Sequence, residues 1–105
     1  MNQVQLTASI AELSALRYTP AGIPAINLIL EHESEMLEAG VTRQVKLTMK
    51  AVAFGTLAEQ AVKFPLGKVF RFTGFLINAR TSKGVVFHIQ ALHPIIQAEQ
   101  VLNPI

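Results

Sequence analysis

The chain has no cysteine and no aspartate among its 105 residues, and its apolar runs are short. The first absence excludes disulfides and thiolate metal sites and gives no sign of an oxidising compartment. The second removes the usual third member of a Ser-His-Asp triad and the ligands of an EF-hand loop. The third excludes a membrane-spanning helix, which needs about 18 consecutive apolar residues. Met1 is followed by polar Asn2 and Gln3 rather than by a basic and then apolar leader, so a cytoplasmic location and no membrane partner are expected.

Sequence motifs for catalysis are equally scarce. Gly67-Lys68 is followed by Val69 and preceded, five positions before the glycine, by Val62, so no Walker A loop exists. His32-Glu33 begins like an HExxH helix, but Met36 stands where the second histidine belongs. His32, His88 and His93 are scattered, and a strand histidine satisfied within the fold accounts for each. Glu31, Glu33 and Glu35 alternate at a strand end and need no catalytic explanation. The reading is therefore a non-enzymatic chain with no catalytic residue, no cofactor and no metal site.

What the chain does have is apolar surface and segregated charge. Half of its residues are hydrophobic and the mean hydropathy is +0.38. One domain spanning residues 1–105 can bury only part of that, and a two-fold homodimer through the first strand or an adjacent face would use the excess. The net charge of +2 hides an asymmetry: residues 1–38 carry one cation, Arg17, against five glutamates, while residues 39–98 carry eight cations against Glu59 alone. A basic field of that density favours anionic partners.

Strict alternation in Arg43-Gln44-Val45-Lys46-Leu47-Thr48-Met49-Lys50 predicts a strand with Val45, Leu47 and Met49 toward a core and Lys46 and Lys50 toward water. The two lysines fall roughly 13 Å apart on one face, a spacing suited to a polyanion. Lysines on a solvent face also discourage edge-to-edge aggregation, and the pattern alone leaves both readings open.

In chain order, Val4 to Leu13 alternates as a first strand whose phase slips near Ala11-Glu12, predicting a bulge. Arg17 to Pro24 is a turn-rich connection, in which Tyr18 either offers a stacking ring beside Arg17 or packs over its own loop. Ala25 to His32 is a second strand, and the acidic stretch Glu33 to Thr42 reads as a solvated loop before the third. Leu57, Ala58, Ala61 and Val62 give a short amphipathic helix stopped by Pro65-Leu66-Gly67. Lys68 to Ala79 is a fourth strand with a bulge at Gly74, Arg80 to Gly84 a hairpin loop, and Val85 to Leu92 a fifth strand. The tail from Ile95 carries no distinct pattern.

Three strands, a helix and a two-stranded hairpin is the order of the all-β, five-stranded Greek-key OB barrel, with one short helix between strands three and four. In that fold the faces of strands two and three and the loops joining strands one to two and four to five bind oligonucleotides. Arg17, Tyr18, Arg43, Lys46, Lys50, Arg80 and Lys83 fall on or near those elements and are the candidate nucleic-acid-binding residues.

The run Gly22-Ile23-Pro24, then Leu28-Ile29-Leu30-Glu31-His32-x-Ser34, Glu38-Ala39-Gly40, Arg43-Gln44 and Met49 closely resembles the primosomal replication protein N family of bacteria. The match covers nearly the whole chain and is most specific from Gly22 to Arg43. It implies a small dimeric OB-fold protein that binds single-stranded DNA in restarting stalled replication forks. The implied partners are a primosomal restart helicase and a further primosomal loading protein. Two departures qualify this: Lys46 stands where well-known members place an exposed tryptophan, and Glu33 where some carry a basic residue. The loop between strands four and five is also shorter and less lysine-rich than in those members. DNA binding should then rest more on phosphates than on base stacking. A protein-interaction adaptor that stimulates the helicase, with weak DNA binding of its own, is the alternative.

Overall fold

The first strand, β1 (Val4–Leu13), is long enough to serve two neighbours, and this closes the molecule into a barrel. Val4 to Ser9 pair antiparallel with β5 (Val69–Asn78), and Ser9 to Leu13 pair antiparallel with β3 (Pro24–Glu38). The register slips between Ile10 and Glu12, where the sequence predicts a bulge. In this computed structural model residues 1–95 are described, so the tail beyond Ile95 lies outside them. The remaining elements are β2 (Arg17–Tyr18), β4 (Val41–Phe54), α1 (Thr56–Ala61) and β6 (Val85–Pro94).

The sheet runs β1-β5-β6-β4-β3 and returns to β1, with β2 attached only to the start of β3. β4 and β6 meet in parallel through Ala51 and Phe87, and through Val52 and His88. The result is the closed five-stranded Greek-key barrel expected from the element order. Inside it Ile10, Ile26, Leu28, Leu30, Phe70, Phe72 and Phe87 are fully enclosed. Each contributes about 1.5–3 kcal/mol of burial relative to an exposed side chain.

The helix plugs one end with two small residues, Ala58 and Ala61, which are buried. It ends at Ala61, leaving Val62 41% exposed rather than on the packed face. Phe64 replaces it, its ring 4.9 Å from that of Phe70. Among the described residues no helix is long and apolar enough to cross a membrane.

The largest departure from the sequence reading is the acidic stretch 33–42, which is not a loop. β3 continues to Glu38, Ala39 and Gly40 make a two-residue turn, and β4 starts at Val41, with unbroken pairing from Ala25–Phe54 to Glu38–Val41. Ala39 (φ 51°) and Gly40 (φ 80°) are both left-handed, the backbone of the tight turns that match strand twist. Cross-strand partners satisfy the charges: Gln44 donates to Glu35 (2.6 Å), Lys46 sits 3.7 Å from Glu33, and Arg43 pairs with Glu38. β1 leaves β3 at Glu31, and β6 meets β4 only at Ala51 and Val52, so the outer hairpin stands off the barrel as an arm. Of the three residues expected to face the core, only Met49 packs against it, and Leu47 is 39% exposed.

Candidate nucleic-acid interface

Period-two alternation carries Gln44, Lys46, Thr48, Lys50, Val52 and Phe54 along one outward face of β4. Their partners on β3 are Glu35, Glu33, Glu31, Ile29 and Asn27 for the first five. The face therefore changes character along its length. On the arm it is lined with carboxylates and the amide and ammonium groups that answer them; past Lys50, over the barrel, it is apolar and aromatic.

Register sets the barrel half. Val52 lies beside His88 of β6, and His88 is opposite Phe75 of β5. The His88 ring stacks on Phe75 (centroids 5.0 Å apart, planes at 26°) and tilts against Phe54 (5.7 Å, 36°). Gly74 makes this possible, because a Cβ there would lie 1.9 Å from the His88 carbonyl oxygen. The bulge between Thr73 and Gly74 lets β6 cross at that point.

Two connections wall this floor. On one side the β1–β3 connection is fixed by Ser14, whose N–H donates to the Asn27 carbonyl (2.9 Å) and whose hydroxyl accepts from the Asn27 N–H (3.0 Å). A turn closed by Gly22 N–H to the Thr19 carbonyl (2.8 Å) then holds Arg17 and Tyr18 in place. On the other side the β5–β6 hairpin brings up Asn78, Ala79 and Arg80, its loop closed by Ala79 N–H to the Gly84 carbonyl (3.1 Å). Between the walls lies an open trough of about 500 Å³ floored by Asn27, Val52, Phe54, Val86 and His88. Tyr18 is 63% exposed and lines it together with Thr19 and Pro20 of its own loop.

Among the described residues no carboxylate lines the trough. The two ion pairs among the described residues, Arg43–Glu38 and Lys46–Glu33, are both on the arm. Arg17, Lys50, Arg80 and Lys83 thus have no carboxylate partner among the described residues. Of the predicted binding residues, Arg17, Tyr18 and Arg80 come together at the trough. Lys50 continues its floor, one same-face step from Val52, and Lys83 sits further out on the hairpin loop. Lys46 lies on the arm, and Arg43 faces the other side of it, opposite Met36.

Phe54, His88 and Asn27 were not among the predicted binding residues. The alternation that placed Lys46 and Lys50 on one face continues through Val52 to Phe54, so that signal was available. Nothing in the sequence revealed that His88 would lie between two rings. His32, by contrast, is fully engaged: its Nδ1–H donates to the Thr7 carbonyl (2.6 Å), and its Nε2 pairs with the Ser34 hydroxyl (2.8 Å). It clasps the root of the arm to β1. Among the described residues no cluster of His, Cys, Asp or Glu side chains could hold a metal ion.

A closed OB barrel crossed by an aromatic, cationic trough defines a class of proteins that accommodate single nucleic-acid strands. The family described as another single-strand binding protein family matches residues 2–91. The replication restart protein PriB of Bordetella pertussis is 48% identical over 91 residues, 86% of this chain and 85% of its own length. That of Nitrosomonas europaea is 33% identical over 85% of this chain and 83% of its own length. The structure of the PriB protein of Ralstonia solanacearum superimposes with a TM-score of 0.82 at 36% identity, covering 91% of this chain and 99% of that one. A deletion mutant of the single-stranded DNA binding protein from Thermus aquaticus shares the fold, with a TM-score of 0.74 at 21% identity, 94% of this chain and 52% of that one being covered. The chain belongs to the replication restart protein PriB family, within the single-strand-binding OB-fold proteins.

Proposed function

We propose that the chain is a non-enzymatic protein that binds single-stranded DNA during replication restart and bridges it, as a homodimer in the cytoplasm, to a restart helicase and a further primosomal loading protein. The observation that carries the DNA part is the trough: two guanidinium groups without carboxylate partners among the described residues flank a floor that includes Phe54 and His88. Guanidinium groups suit phosphates and aromatic faces suit bases, whatever the sequence. The names of the curated relatives support the setting in replication restart.

Two features support a dimer. Val4 to Ala8 pair with β5 on one edge and with no described strand on the other, and the arm exposes Met36, Leu37, Val41 and Leu47. Sedimentation at micromolar concentration is expected to give a dimer, and a monomer there would remove this part of the proposal. The DNA part is tested by titrating a labelled oligothymidylate at several salt concentrations. Tight binding at low salt that weakens steeply as salt rises is expected; no binding at low salt would overturn it. The alternative, a helicase adaptor with weak DNA binding of its own, draws on the pairing of Lys46 with Glu33 and Arg43 with Glu38, which takes two cations out of any phosphate track.

A further inference from the structure

We propose that the helix end of the barrel is a second docking surface, which takes an extended, acidic protein segment carrying apolar side chains. The inference does not depend on the trough being the DNA site. It begins from residues that the core, the arm and the trough all leave unused. Val62, Leu66 and Val69 are 41%, 59% and 41% exposed, and Lys63, Lys68 and Arg71 are exposed among them. Large apolar groups left in water and rimmed by charges mark interaction surfaces.

Local structure holds these residues in place. After α1, Lys63 N–H donates to the Gln60 carbonyl (3.0 Å) and Phe64 N–H to that of Ala61 (3.1 Å), so Val62 and Lys63 sit in a turn that continues the helix. Phe64 then anchors the connection against Phe70, and Gly67 N–H donates to the Ile10 carbonyl (3.0 Å), which lays Leu66 to Val69 alongside β1. Lys68 Nζ stands 5.5 Å from the centroid of the Phe70 ring, just before β5 begins. Val69 and Arg71 follow on the outer face of β5, two residues and so roughly 6.6 Å apart, paired with Ser9 and Thr7 of β1.

Charge selects the occupant. Among the described residues none of the three cations has an ion-pair partner, although Glu59 lies four residues before Lys63. Glu31, beyond Ser9 in the row that ends on Val69, bounds the surface on the arm side. A nucleic acid would find phosphate partners here but no platform for its bases, because Phe70 is fully enclosed and Phe64 is half-buried against it. A peptide supplies carboxylates for the cations and apolar side chains for Leu66 and Val69. It cannot add as a strand, since β1 and β6 occupy both edges of β5 from Phe70 to Gly74, so it lies on the face and is recognised by its side chains. Same-face side chains of an extended segment repeat at roughly 6.6 Å, the step from Val69 to Arg71. An apolar residue and a glutamate or aspartate two positions apart therefore match that pair.

The test titrates a synthetic peptide of Leu-Ser-Glu-Ser repeats into the isotope-labelled full chain and follows backbone amides by NMR. Shifts are expected at residues 62–71 and not at Asn27, Phe54 or Arg80 of the trough. Peptides of the same length with lysine in place of glutamate, or alanine in place of leucine, should bind about tenfold more weakly or worse. Lys63→Ala with Lys68→Ala and Arg71→Ala should weaken the glutamate peptide about tenfold, and Leu66→Ser about threefold to tenfold. Should the triple variant fold poorly, the lysine peptide on the wild type reads the same charge dependence. Saturating the protein with oligothymidylate should leave peptide affinity unchanged. No shifts at residues 62–71, equal binding of the lysine peptide, or displacement of the peptide by oligothymidylate overturns the proposal. So does a triple variant that loses salt slope for oligothymidylate while keeping its affinity for the peptide, which would make the surface a nucleic-acid contact.

Discussion

The arm and the trough lie on one continuous face of β4, yet they handle charge in opposite ways. On the arm each cation meets a carboxylate across the ladder or along it: Lys46 faces Glu33, and Arg43 reaches Glu38. At the trough Arg17 and Arg80 line the two walls beside Phe54 and His88, with no acid among the described residues in the lining. The sequence has its densest cationic alternation in the arm, and there two of the cations, Arg43 and Lys46, stand beside carboxylates. A phosphate competes poorly for a cation that already has an anion beside it, even though an exposed pair is worth only about 0–1 kcal/mol. A guanidinium without a partner offers its full charge.

Several substitutions can break this comparison. The largest effect is expected from Gly74→Ala, whose new methyl would overlap the His88 carbonyl. The β5–β6 crossing cannot yield cheaply there because the obstacle is backbone, and a loss of about 3 kcal/mol or more is expected in chemical denaturation. The trough should suffer while the arm, built from β3 and β4, keeps its pairing, which hydrogen exchange at residues 33–46 would report.

Next in size is Phe54→Ala, which removes one ring from the trough floor without touching the enclosed core. Stacking worth about 1–3 kcal/mol per base should disappear from the affinity for oligothymidylate. The salt slope should stay the same, because no charge changes. A lost slope together with unchanged affinity at low salt would mean that Phe54 acts only through the placement of Arg17.

A smaller and opposite effect sharpens the comparison. Glu33→Gln releases Lys46 from its cross-strand carboxylate, and binding should strengthen about twofold to threefold, with a slope steeper by up to roughly 0.7. If binding does not change, the DNA path ends before the arm. The acidic row Glu31, Glu33 and Glu35 is then a boundary that keeps the strand on the barrel.

The barrel was legible because its strands alternate against a continuous core. Ile26, Leu28 and Leu30 on β3, and Phe70 and Phe72 on β5, show the period-two pattern that burial on one face imposes. The arm was not, since neither of its faces is buried: Glu33, Ser34, Glu35 and Met36 carry no apolar alternation, and the turn is Ala39-Gly40 rather than the Asn-Gly that signals such turns. Two residues with the φ of a tight turn thus passed for part of a loop. The flanking connections holding Arg17 and Arg80 could be assigned from element order alone. The ring sandwich around His88 could not, because it depends on the parallel meeting of β4 and β6 and on the slip at Gly74, both long-range features.

The central claim, that grip on a phosphate backbone belongs to the trough and not to the arm, is tested most directly by comparing two double variants in the same salt titration. Arg17→Ala with Arg80→Ala is expected to lower the log-log slope on a single strand by roughly 1.4, two contacts' worth, and to weaken binding on the order of 100-fold at low salt. Arg43→Ala with Lys46→Ala is expected to leave slope and affinity close to wild type. The reverse outcome, with the arm pair carrying the slope and the trough pair carrying none, would contradict it.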